Sequence, residues 1–307
     1  MKIGLFIPCY VDQFYPKVGI ATYELLQKLG CDVEFPMGQT CCGQPMANSG
    51  YAHLTKGCDA NFIANFSGFD YIVCPSGSCV LHVKDHLHDE KQEEKATAIR
   101  NTVYELTEFI TDVLKIDHID GRFPYKVGMH VSCHGQRGLK LSQMSELNAP
   151  FFSKPEQLLH SIKDLDLVAL TRKDECCGFG GTFCVTEEAI SVKMGQDRIK
   201  DHENHNVDYI TGFDMSCLMH LEGILKRQKS PIKTIHIAEI LKAKSFLPKQ
   251  NSIINKLLTD SRTVIDPERS LFFAIAAQRD GHTFIADAYN NGVRNFVVLD
   301  PAYADKY

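Results

Sequence analysis

The chain opens on a short apolar run, Ile3 to Pro8, that ends at Cys9. An unbroken apolar run of this length is what a parallel strand covered on both faces requires. Apolar residues then recur at helical spacing (Ile20, Tyr23, Leu25, Leu26, Leu29) until Gly30. This predicts a helix stopped by a residue free to turn left-handed. Asp32 to Pro36 predicts a second strand, which leads into Cys41-Cys42-Gly43, and a third starts at Tyr71. The charged stretch from about Lys84 to Lys115 predicts a connecting helix. The pattern then begins again. Lys126-Val-Gly-Met-His-Val-Ser-Cys133 matches Lys2-Ile-Gly-Leu-Phe-Ile-Pro-Cys9 at Lys, Gly and Cys. Leu158 to Ile162 predicts a helix, and Leu165 to Leu170 a strand that leads into Cys176-Cys177-Gly178. The third element repeats without gaps: Tyr71 to His82 aligns on Tyr209 to His220 with Tyr, Ile, Ser, Cys and His coincident.

Strand and helix alternation of this kind predicts an α/β fold of two related lobes, each built on a parallel sheet. In such sheets the sites lie beyond the carboxyl ends of the strands. The expected boundaries are 1–115 for the first lobe with its connecting helix, 116–244 for the second, and 245–307 for a short α/β C-terminal segment. That last division follows the cysteines, none of which occurs after Cys217.

Composition narrows the chemistry. At 307 residues and 44% hydrophobic, the chain can bury a substantial core. A net charge of -5 offers no basic field to nucleic acid. The opening apolar run is too short for a membrane span or a signal segment, so the expected location is the cytoplasm. Twelve cysteines in a reducing compartment read as ligands or reactive thiols rather than disulfides. A vicinal pair rarely closes on itself, so each Cys-Cys-Gly suggests thiolates presented to a metal.

The candidate ligands are Cys9, Cys41, Cys42 and Cys79 for one site, with Cys74 as a fifth. Cys133, Cys176, Cys177 and Cys217 form the other, with Cys184 as a weaker extra. Cys31 and Cys58 read as packed apolar cysteines. The paired short knuckles of structural zinc sites are missing, and the long spacings around Cys-Cys suit an iron–sulfur cluster better. His82 and His220 follow Cys79 and Cys217 by three residues, while His130 and His134 flank Cys133. Each is a candidate proton relay or hydrogen-bond donor to a cluster sulfur, or a ring packed at the lobe interface with its nitrogens satisfied.

The order Cys, Cys-Cys-Gly, Cys, occurring twice, resembles the cysteine-rich CCG domain. That domain is duplicated in one of the subunits of heterodisulfide reductase, in the iron–sulfur subunits of glycolate and glycerol-3-phosphate oxidases, and in lactate-utilisation proteins. The opening Ile-Gly-Leu-Phe-Ile-Pro-Cys-Tyr-Val-Asp, Cys74-Pro-Ser-Gly-Ser-Cys79 and Cys176-Cys-Gly-Phe-Gly-Gly-Thr-Phe183 are most similar to the lactate-utilisation branch. The resemblance implies one or two [4Fe-4S] clusters, of which the family includes a non-cubane form. It also implies an electron-transfer subunit of a complex that oxidises L-lactate to pyruvate, inactive alone and partnered by other iron–sulfur subunits. Two alternatives are a heterodisulfide-reductase-like thiol–disulfide subunit and a structural zinc scaffold. The family motif ends in Cys-x-x-Cys, and here Ser76 and Asp214 stand at its first position. Cys74 is then a substitute ligand in the first half and Asp214 a candidate in the second, which predicts a weaker second cluster.

The segment with Leu257 to Thr263, Leu271 to Ala274, Asp280 to Ile285 and Gly292 to Val298 resembles the start of a Mur ligase, including an Asp-Ser-Arg motif at Asp260, Ser261 and Arg262. No G-x-x-x-x-G-K-[ST] loop is present to cradle ATP phosphates. Ligation is therefore not expected, and the segment reads as a truncated fusion or a recruited nucleotide-binding module.

Overall fold

The computed structural model describes residues 1–243, 255–274 and 281–298. They divide into two compact units, Met1–Ser245 and Phe246–Tyr307.

The first unit contains two four-stranded sheets, parallel throughout. In one, β1 (Lys2–Leu5), β2 (Asp32–Glu34), β3 (Tyr71–Cys74) and β4 (Val103–Glu105) lie in the order β2-β1-β3-β4. In the other, β5 (Lys126–Met129), β6 (Asp166–Val168), β7 (Tyr209–Gly212) and β8 (Lys233–His236) lie in the order β6-β5-β7-β8. The registers correspond as well, with Ile3 opposite Tyr71 and Val127 opposite Tyr209. The α/β fold of two parallel-sheet lobes is thus as the alternation predicts. The apolar runs become central strands because both faces are covered: Ile3, Ile72, Val73, Val127 and Ile210 are fully buried.

Two strands differ from the expectation. The stretch 84–115 is not one connecting helix; it holds the helix Glu93–Thr102, then β4, then the turn Leu106–Glu108. β4 is hidden in charged sequence because its Glu105 is buried for a local reason. That carboxylate accepts from the amides of Thr107 (2.7 Å) and Glu108 (3.2 Å) and caps the next turn. β8 is concealed similarly. His236 at its end caps the helix Ile237–Lys242 in a reciprocal box with Glu239.

One hydrophobic core runs through both lobes, including Leu25, Leu26 and Leu106 from the first and Leu158, Leu225 and Ile237 from the second. Polar contacts cross the seam too. Ser76 and Asp214, the equivalent positions of the two halves, pair with each other as an isolated antiparallel bridge. His236 Nε2 donates to the Pro75 carbonyl at 3.1 Å while Nδ1 accepts from the Ala238 amide at 3.1 Å. The backbones at Gly77 and Gly135 approach so closely that a Cβ on Gly77 would lie 3.2 Å from the Gly135 Cα.

The second unit is a three-stranded parallel sheet in the order β11-β10-β9, made of β9 (Lys256–Leu258), β10 (Ser270–Ala274) and β11 (Asn295–Val298). Its core gathers Leu258, Phe272, Ile285, Ala288 and Val293. Within the Asp-Ser-Arg motif Asp260 accepts from the Arg262 amide at 2.9 Å and pairs with its guanidinium at 2.6 Å. Lys244 and Asp280 lie outside the described residues. No helix among the described residues is long and apolar enough to cross a membrane.

Candidate metal centres

Cys9, Cys79, Cys133 and Cys217 each sit soon after a strand has ended. Cys9 opens the helix Cys9–Phe14 after β1, and Cys133 precedes the turn His134–Gly138 after β5. Cys79 and Cys217 lie in the first turns of the helices Gly77–His86 and Met215–Gln228, after β3 and β7. There the amides of the first turn and the helix dipole favour an anionic sulfur. The glycines of both Cys-Cys-Gly turns are left-handed, with φ of +91° at Gly43 and +87° at Gly178. That conformation, cheap only for glycine, points each amide back at a sulfur. Gly43 N lies 3.4 Å from Cys41 Sγ, and Gly178 N 3.4 Å from Cys176 Sγ.

The result is two thiol rows of the same design. In the first, Cys41 accepts from Cys42 and Cys9, and Cys42 also pairs with Cys79. In the second, Cys176 accepts from Cys133 (Sγ to Sγ 3.7 Å) and Cys177, and Cys177 pairs with Cys217. The donors around Cys41 and Cys176 pull those two thiols far below the ordinary range. Cys9, Cys42, Cys133 and Cys177 are pushed up by giving their protons to the row and by burial. In each row one thiol is thus favoured as the anion beside two neighbours pushed toward the protonated form, a set that a soft cation would convert to thiolates. The donor chemistry fits a thiophilic metal group.

All eight cysteines line a single cleft between the lobes, of about 940 Å³ counted out to open solvent, together with Tyr10, Gln44, Phe179 and Met215. Cys74 does not line it. It is fully buried in the first lobe's own core with Phe6, Phe62 and Val80, and desolvation keeps its thiol well above the usual range. Cys184 lies on the short helix Phe183–Thr186 and donates to the Gly181 carbonyl at 3.0 Å. Asp214 lines the cleft, but its oxygens are taken. Oδ1 accepts from Ser76 Oγ (2.6 Å), Ser78 Oγ (2.9 Å) and Ser78 N (3.1 Å), and Oδ2 accepts from Ser132 Oγ. The carboxylate fastens the lobes together through these four hydrogen bonds.

The histidines separate on geometry. His82 is kept neutral mainly by burial, with His86 adding to it, and contacts the Cys42 backbone. His220 Nε2 is 3.3 Å from the Ser191 carbonyl. His130 stands apart, being fully buried with Nε2 unpaired among the described residues. One of its ring nitrogens and the sulfurs of Cys177 and Cys217 all lie within 4.8 Å of one another. Its Nδ1 accepts from Arg198 Nε at 3.2 Å. Arg198 is itself 0% exposed, which no periodicity in the sequence announced.

A family model described as the cysteine-rich domain, CCG, matches residues 3–84 and 127–222. "Lactate utilization protein A" of Geobacillus sp. (strain WCH70) is 44% identical over 248 residues, 80% of this chain and 100% of the relative. The protein of that name from Bacillus subtilis (strain 168) is 39% identical over 248 residues, with the same coverage of both chains. A hypothetical protein of solved structure from Helicobacter pylori matches 78% of this chain and 48% of its own at 13% identity, with a TM-score of 0.42.

Proposed function

The chain belongs to the cysteine-rich CCG domain family, and on that footing we propose that it is an iron–sulfur electron-transfer subunit of a system that oxidises L-lactate to pyruvate. The observation that carries this reading is the pair of four-cysteine rows lining one cleft. In this reading Cys9, Cys41, Cys42 and Cys79 hold one group, and Cys133, Cys176, Cys177 and Cys217 hold the other. Bound there, an iron–sulfur cluster supplies reversible one-electron uptake and release. The chain's own residues keep the thiols in register, through the left-handed glycines, and exclude water from Cys42, Cys177 and Cys217, which are buried.

Conversion of lactate to pyruvate releases two electrons and two protons. The sequence carries no dinucleotide fingerprint and no ferredoxin-type cysteine run, so the hydroxyl carbon is oxidised on a partner and the electrons pass to or through this chain. The relatives that bear the name lactate utilization protein A supply the substrate. Zinc on the same thiols is the competing reading, since four thiolates also satisfy one zinc.

Metal and acid-labile sulfide analysis of protein purified without oxygen separates the two readings. Brown protein with iron and sulfide in comparable amounts, bleached by dithionite and also by L-lactate when the partner subunits are present, is expected. Colourless protein containing zinc and no sulfide overturns the proposal.

A further inference from the structure

The two lobes share their strand order and thiol rows, so a position that differs between them is not dictated by the fold. The residue just after β1 is Phe6, and the residue just after β5 is His130. Phe6 packs edge-on against Phe62 (4.9 Å between centroids) and Phe66 (5.7 Å), four residues apart on the helix that follows the first Cys-Cys-Gly. His130 meets Arg198 on the helix Glu188–Asn204, which follows the second, and four residues beyond it stands His202. One lobe therefore buries three phenyl rings where the other buries an imidazole, a guanidinium and a second imidazole. All three are between 0 and 2% exposed. Burying such groups costs several kcal/mol, as an order of magnitude, relative to an apolar trio. The first lobe shows that the architecture is built without them.

Arg198 also fixes the chemistry of the ring. A guanidinium Nε always carries its proton, so Nδ1, which accepts from it, has none. The ring proton is therefore on Nε2. Arg198 is itself held by the carbonyls of Arg172 (2.6 Å) and Met129 (3.0 Å) and by Asp201 (3.4 Å), so it cannot swing away to release the other tautomer. The protonated nitrogen is the one without a partner, and the sulfurs of Cys177 and Cys217 are nearby.

We propose that His130 is an N–H donor to the sulfur of the group held by the second cysteine row, and not a metal ligand, with Arg198 as the positioning residue that sets its tautomer. The inference rests on the iron–sulfur reading above. A ligating Nε2 would have to lose its proton, and Arg198 blocks the tautomer in which that proton moves to Nδ1. A donor to cluster sulfur favours the more negative, reduced state and raises the reduction potential. Phe6 gives the first row nothing comparable, so the two groups differ in potential although their thiols match.

Two measurements test this. In metal-free, reduced protein, long-range proton–nitrogen correlation of the imidazole should show the Nε2-protonated tautomer. A Nδ1 proton overturns the proposal, and this readout does not depend on iron. In protein loaded without oxygen, a redox titration of the two clusters compares wild type, His130→Phe, His130→Phe with Arg198→Met, and His130→Gln, which retains an N–H near the Nε2 position. The double variant copies the apolar first lobe and removes the stranded guanidinium, which guards against misfolding. With the second cluster identified by its loss in Cys217→Ser, its reduction constant should fall about tenfold in the Phe variants, about 59 mV for one electron, and recover in His130→Gln. The first cluster should not move. An unshifted second cluster overturns the inference and leaves the iron–sulfur reading intact, whereas wild type that binds no iron overturns that reading. Loss of iron from the second row in every His130 variant makes His130 a ligand and also sinks the proposal.

Discussion

Asp214 stands where the family motif has a cysteine, and its four hydrogen bonds make a strong expectation about stability. In Asp214→Ala the hydroxyls of Ser76 and Ser78, 3.2 Å apart, can pair with one another. The Ser132 hydroxyl and the Ser78 amide then have no replacement acceptor at a seam where Ser76 and Ser132 are 4% and 2% exposed. Two donors left without their carboxylate, one buried (Ser132) and one half-buried (Ser78), cost roughly 2 kcal/mol each, so the loss is about 4 kcal/mol. Asp214→Asn keeps one carbonyl acceptor and an amide that the Ser132 oxygen can accept from, so it should cost about 1 kcal/mol. The assay is guanidinium unfolding of metal-free, reduced protein followed by circular dichroism, because the chain has no Trp to report by fluorescence. With a slope of about 4 kcal/mol per molar, the alanine midpoint should fall by about 1 M. An alanine variant that unfolds with the wild type while losing metal would show that Asp214 serves the metal and not the seam.

Other expectations follow from the same contacts. Cys42→Ser replaces a soft ligand by a hydroxyl that stays protonated and should remove most of the metal from the first row alone, about half of the total; unchanged metal and sulfide content refutes the assignment. Protein ending at Ser245 keeps all twelve cysteines and both four-stranded sheets, so its metal content should equal that of the full chain, and a loss on truncation would make the C-terminal unit part of the site. His236, buried with both ring nitrogens bonded, has its pKa lowered to about 4, chiefly by burial. Because the folded value lies below the unfolded one, its stabilisation is complete above about pH 6.5 and is lost as pH falls toward 4, about 3 kcal/mol in all. His236→Asn should flatten the fall in unfolding midpoint across that window, and an equally steep fall in the variant would remove His236 from the account.

The strands that the sequence made legible are those whose residues answer only to the sheet. β1, β3, β5 and β7 are covered on both faces, so Ile3, Ile72, Val127 and Ile210 had to be apolar and the runs are plain. β4 and β8 were hidden because each ends on a residue with a second duty. Glu105 and His236 cap the following turn or helix, and a polar letter inside a short strand erases the alternation on which the reading depends. The cysteine rows were legible for the opposite reason. Their letters recur at matching places in both lobes, independent of how buried each position is.

Asymmetry between the rows was expected from Cys74 and Asp214. Cys74 packs in the first lobe's core with Cys42 and beside Cys79, and Asp214 accepts from three serines at the seam. A further difference lies one layer behind the sulfurs, Phe6 against His130. A single letter in an otherwise matching strand end cannot be weighed from sequence, because its meaning comes from a partner on a distant helix. Arg198 turns the ring into a donor, and without it the same histidine would be free to present a lone pair. The Arg198→Met variant by itself isolates that step. If its imidazole takes up the Nδ1 proton while the fold and the first row are unchanged, the tautomer is set by Arg198; if the proton stays on Nε2, the surroundings of Cys177 and Cys217 hold it there and Arg198 has only a packing role.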